Sequence, residues 1–427
     1  MRAITPYILP FLLLLVCCRE QEQKVTLPEP QKESYAQDSI MPGPETYYDR
    51  VLGGLVGSAI GDAMGASTEM WYRKDIQLKY GYITGLTPAV RQESPEGTWE
   101  NNLQAGATTD DTRWKYLMVK YFSGNSGNTG PEAFARFIAS YYQSVAGDLA
   151  DREILKNPDA LAGRLEKVDW IREWARVALA YTKGPEDYEQ ALSRFYGGEM
   201  ACAGMLYSPV FGLLSPNPEA AYRTAYEHSL FDHGYAKDIT AQVAAMTQTA
   251  LQGSSMDSIL DTSVFVDPYR YQDSRLLGRI SLQIADATRN TVRLAKEGPT
   301  TGTDTIPPPS YPGTSADWSR QDYIYSYLEK NERAVPFHAG EIWQIVIAGL
   351  AYGQGDFQKT MEFIINYGRD NDTTAAVAGM ILGTRLGFSG LPVSLRTTIV
   401  RTNREKLGID LEELAREIVA VHQKKSP

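Results

Sequence analysis

"NYGRDNDTTAAVAGM", residues 366–380, sets two carboxylates, an amide and two hydroxyls directly before a run of alanines and a glycine. Such a small, apolar run is what a close-packed buried helix looks like, so Asp370, Asn371, Asp372, Thr373 and Thr374 crowd the mouth of a core element. Helix capping accounts for one acceptor at a helix start, where the unpaired amides and the dipole favour it. Adjacent carboxylates need more than capping. Their mutual repulsion in a buried place is costly unless a cation offsets it.

The same order of residues recurs in "AGATTDDTRWKYLMVKYF" (105–122), where a threonine and two acids open another apolar helix. Taken alone, that stretch reads as ordinary N-cap chemistry. A third patch, "GGLVGSAIGDAMGASTEMW" (53–71), carries Gly53, Gly57, Gly61 and Gly65 at a spacing of four. Glycine weakens a helix, so four on one stripe predict the close approach of a neighbouring backbone. Asp62 inside this helix reads as a satisfied buried polar group, and Glu69 follows the helix's expected end. Carboxylate and hydroxyl oxygens without histidine or thiolate are hard ligands, suited to Mg²⁺ or another hard divalent ion. Two such clusters, if they converge, could hold two ions. Zinc is a poor fit, because His228 and His233 are five apart and no Cys/His set accompanies them.

Around these patches the apolar residues recur at helical spacing, as in Trp114, Leu117, Met118, Tyr121 and Phe122, and again in Ile342, Ile345, Ala348 and Leu350. No convincing set of alternating strands appears, so the expected fold is a single all-α domain over residues 46–424. The chain has 427 residues, 43% of them hydrophobic and 22% charged, which is enough for a substantial core. A formal charge of −10 and the absence of a basic stripe exclude a nucleic-acid binder. A phosphate-bearing ligand stays open, provided metal ions or backbone amides supply positive charge.

At the N-terminus, "MRAITPYILPFLLLLVCC" has Arg2, the apolar run Ile8 to Val16 and paired cysteines. The run is too short for a spanning helix and reads as a signal-peptide core. "LVCC" resembles a bacterial lipobox, with Cys18 as the acylated residue and Cys17 where alanine, glycine or serine is usual. A plain secretory signal with incidental cysteines is the alternative. Residues 1–18 are thus the expected leader and 19–45, polar and proline-dotted, a flexible tether. The protein is then exported and lipid-anchored at the cell envelope, touching the membrane through the anchor only. Cys202 is left as a free thiol, so packing and not disulfides must hold the fold. Two loops interrupt the helical pattern, "YITGLTPAVRQESPEGTWENNLQAG" (82–106) and "KEGPTTGTDTIPPPSYPGTSADW" (296–318). The second is either a lid or a surface insertion.

Together "GSAIGDAMGASTE" (57–69), "TTDDTRWKYLM" (108–118) and "GRDNDTTAAVAGMILGTRLG" (368–387) resemble the ADP-ribosylglycohydrolase family. That family includes the dinitrogenase-reductase-activating glycohydrolase and the ADP-ribosyl-acceptor hydrolases. The motifs stand in the family's order, and the resemblance runs over residues 47–390. It implies a compact all-α fold with a binuclear Mg²⁺ centre at the base of a cleft. It also implies that Thr109, Asp110 and Asp111 are metal ligands from one cluster, and Asp370, Asp372 and Thr373 from the other. Glu69 matches the glutamate that ends the first motif. The two Mg²⁺ ions would grip the vicinal hydroxyls of a ribose and polarise a water. A carboxylate (Asp110, Asp111 or Glu69) would assist departure of the aglycone. The chain is expected to act as a monomer on free or protein-linked ADP-ribose or another ribosyl compound.

The departures from the family pattern matter. Arg369 and Asn371 flank Asp370 where the family often has Gly-Gly-Asp, which makes them candidates for setting substrate preference. "YGGEMACAGMLYSPVFGLL" (196–214) lacks the Asn-Gly pair and the arginine of the family's phosphate-side motif, which puts pyrophosphate recognition in doubt. "FVDPYRYQ" (265–272) is either a sugar-binding loop or a simple turn at Asp267-Pro268. An envelope hydrolase acting on another ribosyl or nucleoside-like glycoside is therefore a second reading. A non-catalytic binding lipoprotein is a third, opposed by the ligand types kept at all six positions. A prenyl-transferring enzyme is excluded, because Asp110 and Asp111 are followed by Thr112, Arg113 and Trp114 and the third acid of that signature is missing.

Overall fold

The computed structural model describes residues 42–90, 102–125, 129–147, 158–298 and 306–425. The leader, most of the tether and parts of both long loops lie outside the described residues. In chain order the helices are α1 (Pro44–Gly65), α2 (Arg73–Tyr80), α3 (Asp110–Gly124), α4 (Pro131–Gly147), α5 (Pro158–Tyr181) and α6 (Pro185–Leu192). They continue with α7 (Pro209–Leu214), α8 (Pro218–Glu227), α9 (Ala236–Leu251), α10 (Met256–Phe265), α11 (Ile280–Glu297) and α12 (Ser315–Lys330). The last are α13 (Ala339–Gly353), α14 (Phe357–Tyr367), α15 (Asn371–Gly390), α16 (Val393–Thr402) and α17 (Leu411–Lys425). Among the described residues the strands are two-residue pieces: β1 (Trp71–Tyr72) pairs antiparallel with β4 (Gly368–Arg369), and β2 (Ala89–Val90) with β3 (Asn102–Leu103). The all-α expectation holds.

Helices α1 and α15 are buried on every side over most of their length, as α13 is over all of its own. Each residue of α1 from Val51 to Gly65 is buried, and so is each residue of α15 from Asn371 to Thr384. A helix without a polar face belongs inside a core, and these two lie against each other at its centre, with α3, α9, α13, α14 and α17 packed around them. Outer helices show the usual one-sided burial instead: in α11, Leu282, Ala285, Thr288, Val292 and Ala295 face inward.

The glycine stripe makes the central pair possible. A Cβ on Gly53, Gly57 or Gly61 would sit less than 3.0 Å from the backbone of Gly383, Gly379 or Ala375, and one on Gly65 would meet Asp372. The relation is mutual, since Gly379 and Gly383 present the same obstruction to the carbonyls of Gly57 and Gly53. The two helices therefore touch backbone to backbone over about three turns, and dispersion contacts replace the interlocking of side chains.

The replacement Gly57→Leu forces these backbones apart and is expected to destabilise the fold by ~3 kcal/mol or more. Gly124→Ala, where a Cβ meets nothing within 4 Å, is the control. Thermal denaturation of the two variants side by side checks this, and equal melting temperatures would refute the close-contact reading.

Candidate metal and catalytic site

The site is built on the contact just described. Asp62 lies wholly buried in α1 and faces the first turn of α3. Its Oδ1 accepts from the Thr109 amide at 2.8 Å; its Oδ2 accepts from the Thr112 amide at 3.0 Å and from the Thr112 hydroxyl at 2.6 Å. Thr109, at the N-cap position of α3, makes no capping bond with its own side chain. The cap thus comes from another helix. This matches Asp62 as a satisfied polar group and shows which groups satisfy it. Burial, and then the charges of Asp111 and Asp372, push its carboxyl up to about 8, against the pull of the threonine bonds.

The two acidic clusters converge. The Thr373 hydroxyl donates to Asp111 Oδ2 at 3.0 Å, and the Thr109 hydroxyl donates to Asp372 Oδ2 at 3.4 Å. Each helix start therefore reaches across to a carboxylate on the other. Thr109, Asp111, Asp370, Asp372 and Thr373 are all buried, while Asp110 and Glu69 are partly exposed. Glu69, Asp110, Asp370 and Thr373 line one pocket, walled by Trp174, Tyr196, Leu206 and Phe337. The hollow measures about 30 Å³, the scale of an ion with a water.

Three residues at this place were not among the site residues read from the sequence. Lys115 is buried one turn after Asp111, and its Nζ donates to Asp111 Oδ1 at 3.0 Å. The Cys202 thiol donates to Asp370 Oδ2 at 3.8 Å. Trp174 packs on Trp114 of α3 at a centroid distance of 4.3 Å and on Phe231 at 4.7 Å, tying the pocket wall to the aromatic core. An i,i+4 acid–lysine pair is readable in principle; the other two contacts join residues far apart in the chain. For Asp111 itself, burial pushes the carboxyl up, and Lys115 opposes that.

Whether this donor set fits a metal follows from its chemistry. Among the described residues no group of three or more His, Cys, Asp or Glu stands arranged to hold an ion. Yet the side chains facing the hollow offer carboxylate and hydroxyl oxygens, with the Cys202 thiol beside them, and buried carboxylates repel one another. The set fits a hard divalent cation and does not fit zinc. His228 does not join the set: its ring nitrogens face the carbonyls of Thr224 and Thr129 at 2.7 and 2.8 Å.

Arg369 and Asn371 are engaged internally. Arg369, at a left-handed φ of 64°, pairs with buried Glu341 at 2.6 Å and donates to the Arg333 carbonyl at 2.8 Å. Asn371 Nδ2 donates to Thr68 Oγ1 at 2.8 Å and to the Ile365 carbonyl at 3.0 Å. Both hold the polypeptide around Asp370, and neither lines the pocket. Residues 265–272 form a turn in which Asp267 accepts from the amides of Tyr271 and Gln272, each at 2.9 Å, and none of them lines the pocket.

Compared with known families, residues 43–427 match the ADP-ribosylglycohydrolase family. The chain belongs to that family, and it is a hydrolase of glycosidic bonds. An uncharacterised Escherichia coli (strain K12) protein, YegU, is 21% identical over 362 residues, which span 83% of this chain and 93% of that one. A solved structure described as an ADP-ribosylglycohydrolase-related protein complex superposes with a TM-score of 0.50 at 17% identity. It covers 89% of this chain and 99% of its own, and shows the shared fold.

Two outcomes test the internal bonds. Asp62→Ala strands the Thr109 and Thr112 amides at the start of α3 and should cost about 2–3 kcal/mol in chemical denaturation. Arg369→Met leaves Glu341 buried without its partner and should cost ~3–5 kcal/mol, most of it recovered in Arg369→Met/Glu341→Leu. A double variant no more stable than the single one would show that the pair is not what holds this corner.

Proposed function

We propose that the protein is a Mg²⁺-dependent hydrolase of an N- or O-glycosidic bond to ribose, with ADP-ribose as the first candidate glycosyl group. The observation that carries this reading is the convergence of the two helix starts, where Thr109 bonds to Asp372 and Thr373 to Asp111, with Asp110, Asp370 and Thr373 lining the hollow beside them. These residues would hold the metal. A bound Mg²⁺ supplies Lewis-acid polarisation of water and a grip on vicinal hydroxyls. The family's action on ADP-ribosylated substrates supports the choice of glycosyl group.

The acid/base role suits Asp110 or Glu69, because both line the pocket and are partly open to it. From there a carboxyl group can hand a proton to the departing group or take one from water. Asp111 suits a positioning role better, since its two oxygens face Lys115 and Thr373. Trp174, Tyr196 and Phe337 would give the sugar apolar faces to lie against. At the N-terminus, Cys18 would tether the enzyme to the envelope, working as a monomer.

A second reading, a ribosyl or nucleoside-like glycoside without a pyrophosphate, has one observation in its favour. Among the described residues that line the pocket there is no lysine or arginine to meet a diphosphate. Purified protein incubated with an ADP-ribosylated peptide, and separately with nucleosides and aryl ribosides, separates the two. Release of ADP-ribose with Mg²⁺ and none with EDTA is expected under the first reading, and cleavage of the ribosides alone under the second. Glu69→Gln or Asp110→Asn should lower kcat by about 10²–10⁴-fold, whichever is the acid/base. No hydrolysis of any of these compounds would sink both readings.

A further inference from the structure

The ammonium group of Lys115 sits where positive charge is most needed and where the protein least easily parts with it. The side chain is 3% exposed and Asp111 1%. Moving a lysine out of its partner's reach inside a core leaves a bare charge on each side, with no water to receive either. The second Asp111 oxygen accepts from the Thr373 hydroxyl. Both oxygens of Asp62 accept from α3. Asp62 and Asp111 are thus each engaged through both oxygens from within the chain. Asp110, Asp370, Thr373 and Glu69 face the hollow.

We propose that Lys115 is a built-in substitute for one of the two cations that the family resemblance implies, so that the centre takes a single divalent ion. That ion lies on the side of Asp110, Asp370 and Thr373, while Asp111 serves Lys115. A dication approaching Asp111 would have to displace an ammonium 3.0 Å away that has nowhere to go. It would also meet that ammonium's repulsion at short range in a poorly screened interior. A lysine that only steadied the first turns of α3 would have no effect on ion number.

The inference rests on the metal-site reading above, and its test keeps the two apart. Mn²⁺, counted by electron paramagnetic resonance on the full chain and checked by calorimetry with Mg²⁺, should bind with a stoichiometry of one. Lys115→Met keeps the stem and removes the charge; it should gain a second ion, or bind the first at least ~10-fold tighter. Lys115→Arg should stay at one, and thermal denaturation confirms that the variants are folded. A wild-type count of two with hydrolysis intact overturns this inference alone. So does an unchanged count and affinity in folded Lys115→Met. A wild-type chain that binds no Mn²⁺ overturns the metal-site reading and this inference with it. The wild-type count decides even where a variant does not fold.

Discussion

The backbone contact between α1 and α15 is the constraint on which the rest depends. Side chains normally hold helix axes 8–10 Å apart, and removing them along one stripe lets two central helices close up further. With Gly61 against Ala375 and Gly65 against Asp372, the register of the two helices is set at the end where the acids lie. A small slip would move Asp62 away from the Thr109 and Thr112 amides and Asp372 away from Thr109. Packing geometry and site geometry are here one requirement. Replacing the stripe with larger apolar residues would add hydrophobic area and still damage the site.

That arrangement creates an electrostatic problem and partly solves it. Asp62, Asp111, Asp370 and Asp372 are all buried within one neighbourhood, where each negative charge opposes its neighbours. Two helices begin there, α3 and α15, and their unpaired amides and positive dipole ends favour anions. Asp62 draws on that relief, accepting from the amides of Thr109 and Thr112 at the start of α3. Lys115 meets Asp111 from the same helix. What is left over lies toward the hollow, where oxygen donors face outward with no basic residue among the described residues of the lining. The remaining imbalance is of the kind that the cation proposed above would offset.

Much of this was legible in the residue order, and the reason is local. The glycine spacing announced a close helix partner, and the recurring threonine-and-acid openings announced two helix starts with excess charge. Asp62 could be read as satisfied but not as the cap of α3, because its partners lie 47 and 50 residues away. Trp174 and Cys202 were invisible for the same reason. Arg369 and Asn371 misled in an instructive way. They depart from a pattern in which small or acidic residues stand, which suggested contact with a ligand, yet the Arg369 guanidinium and the Asn371 amide nitrogen are taken up by Glu341, Arg333, Thr68 and Ile365. Polar residues beside a site are as able to build its frame as to touch its substrate, and sequence separation hides which.

The frame they build carries backbone strain. Met70, Tyr196 and Arg369 adopt left-handed φ values of 65°, 44° and 64° without being glycines. Such conformations persist only where surrounding contacts over-determine them, and they gather at functional sites. Met70 and Tyr196 line the pocket, and Arg369 precedes Asp370. Their restraints are visible: the Met70 amide donates to the Arg369 carbonyl at 2.7 Å, and β1 pairs with β4 at Trp71 and Arg369. Glu341 holds the Arg369 side chain from α13. The bridge fixes the turn after α1 against the stretch before α15, and Glu69 and Asp370, one on each segment, both line the hollow. A relaxed, glycine-rich version of either turn would ease the strain and release the carboxylate next to it, which is a physical reason for the arginine to stand where it does.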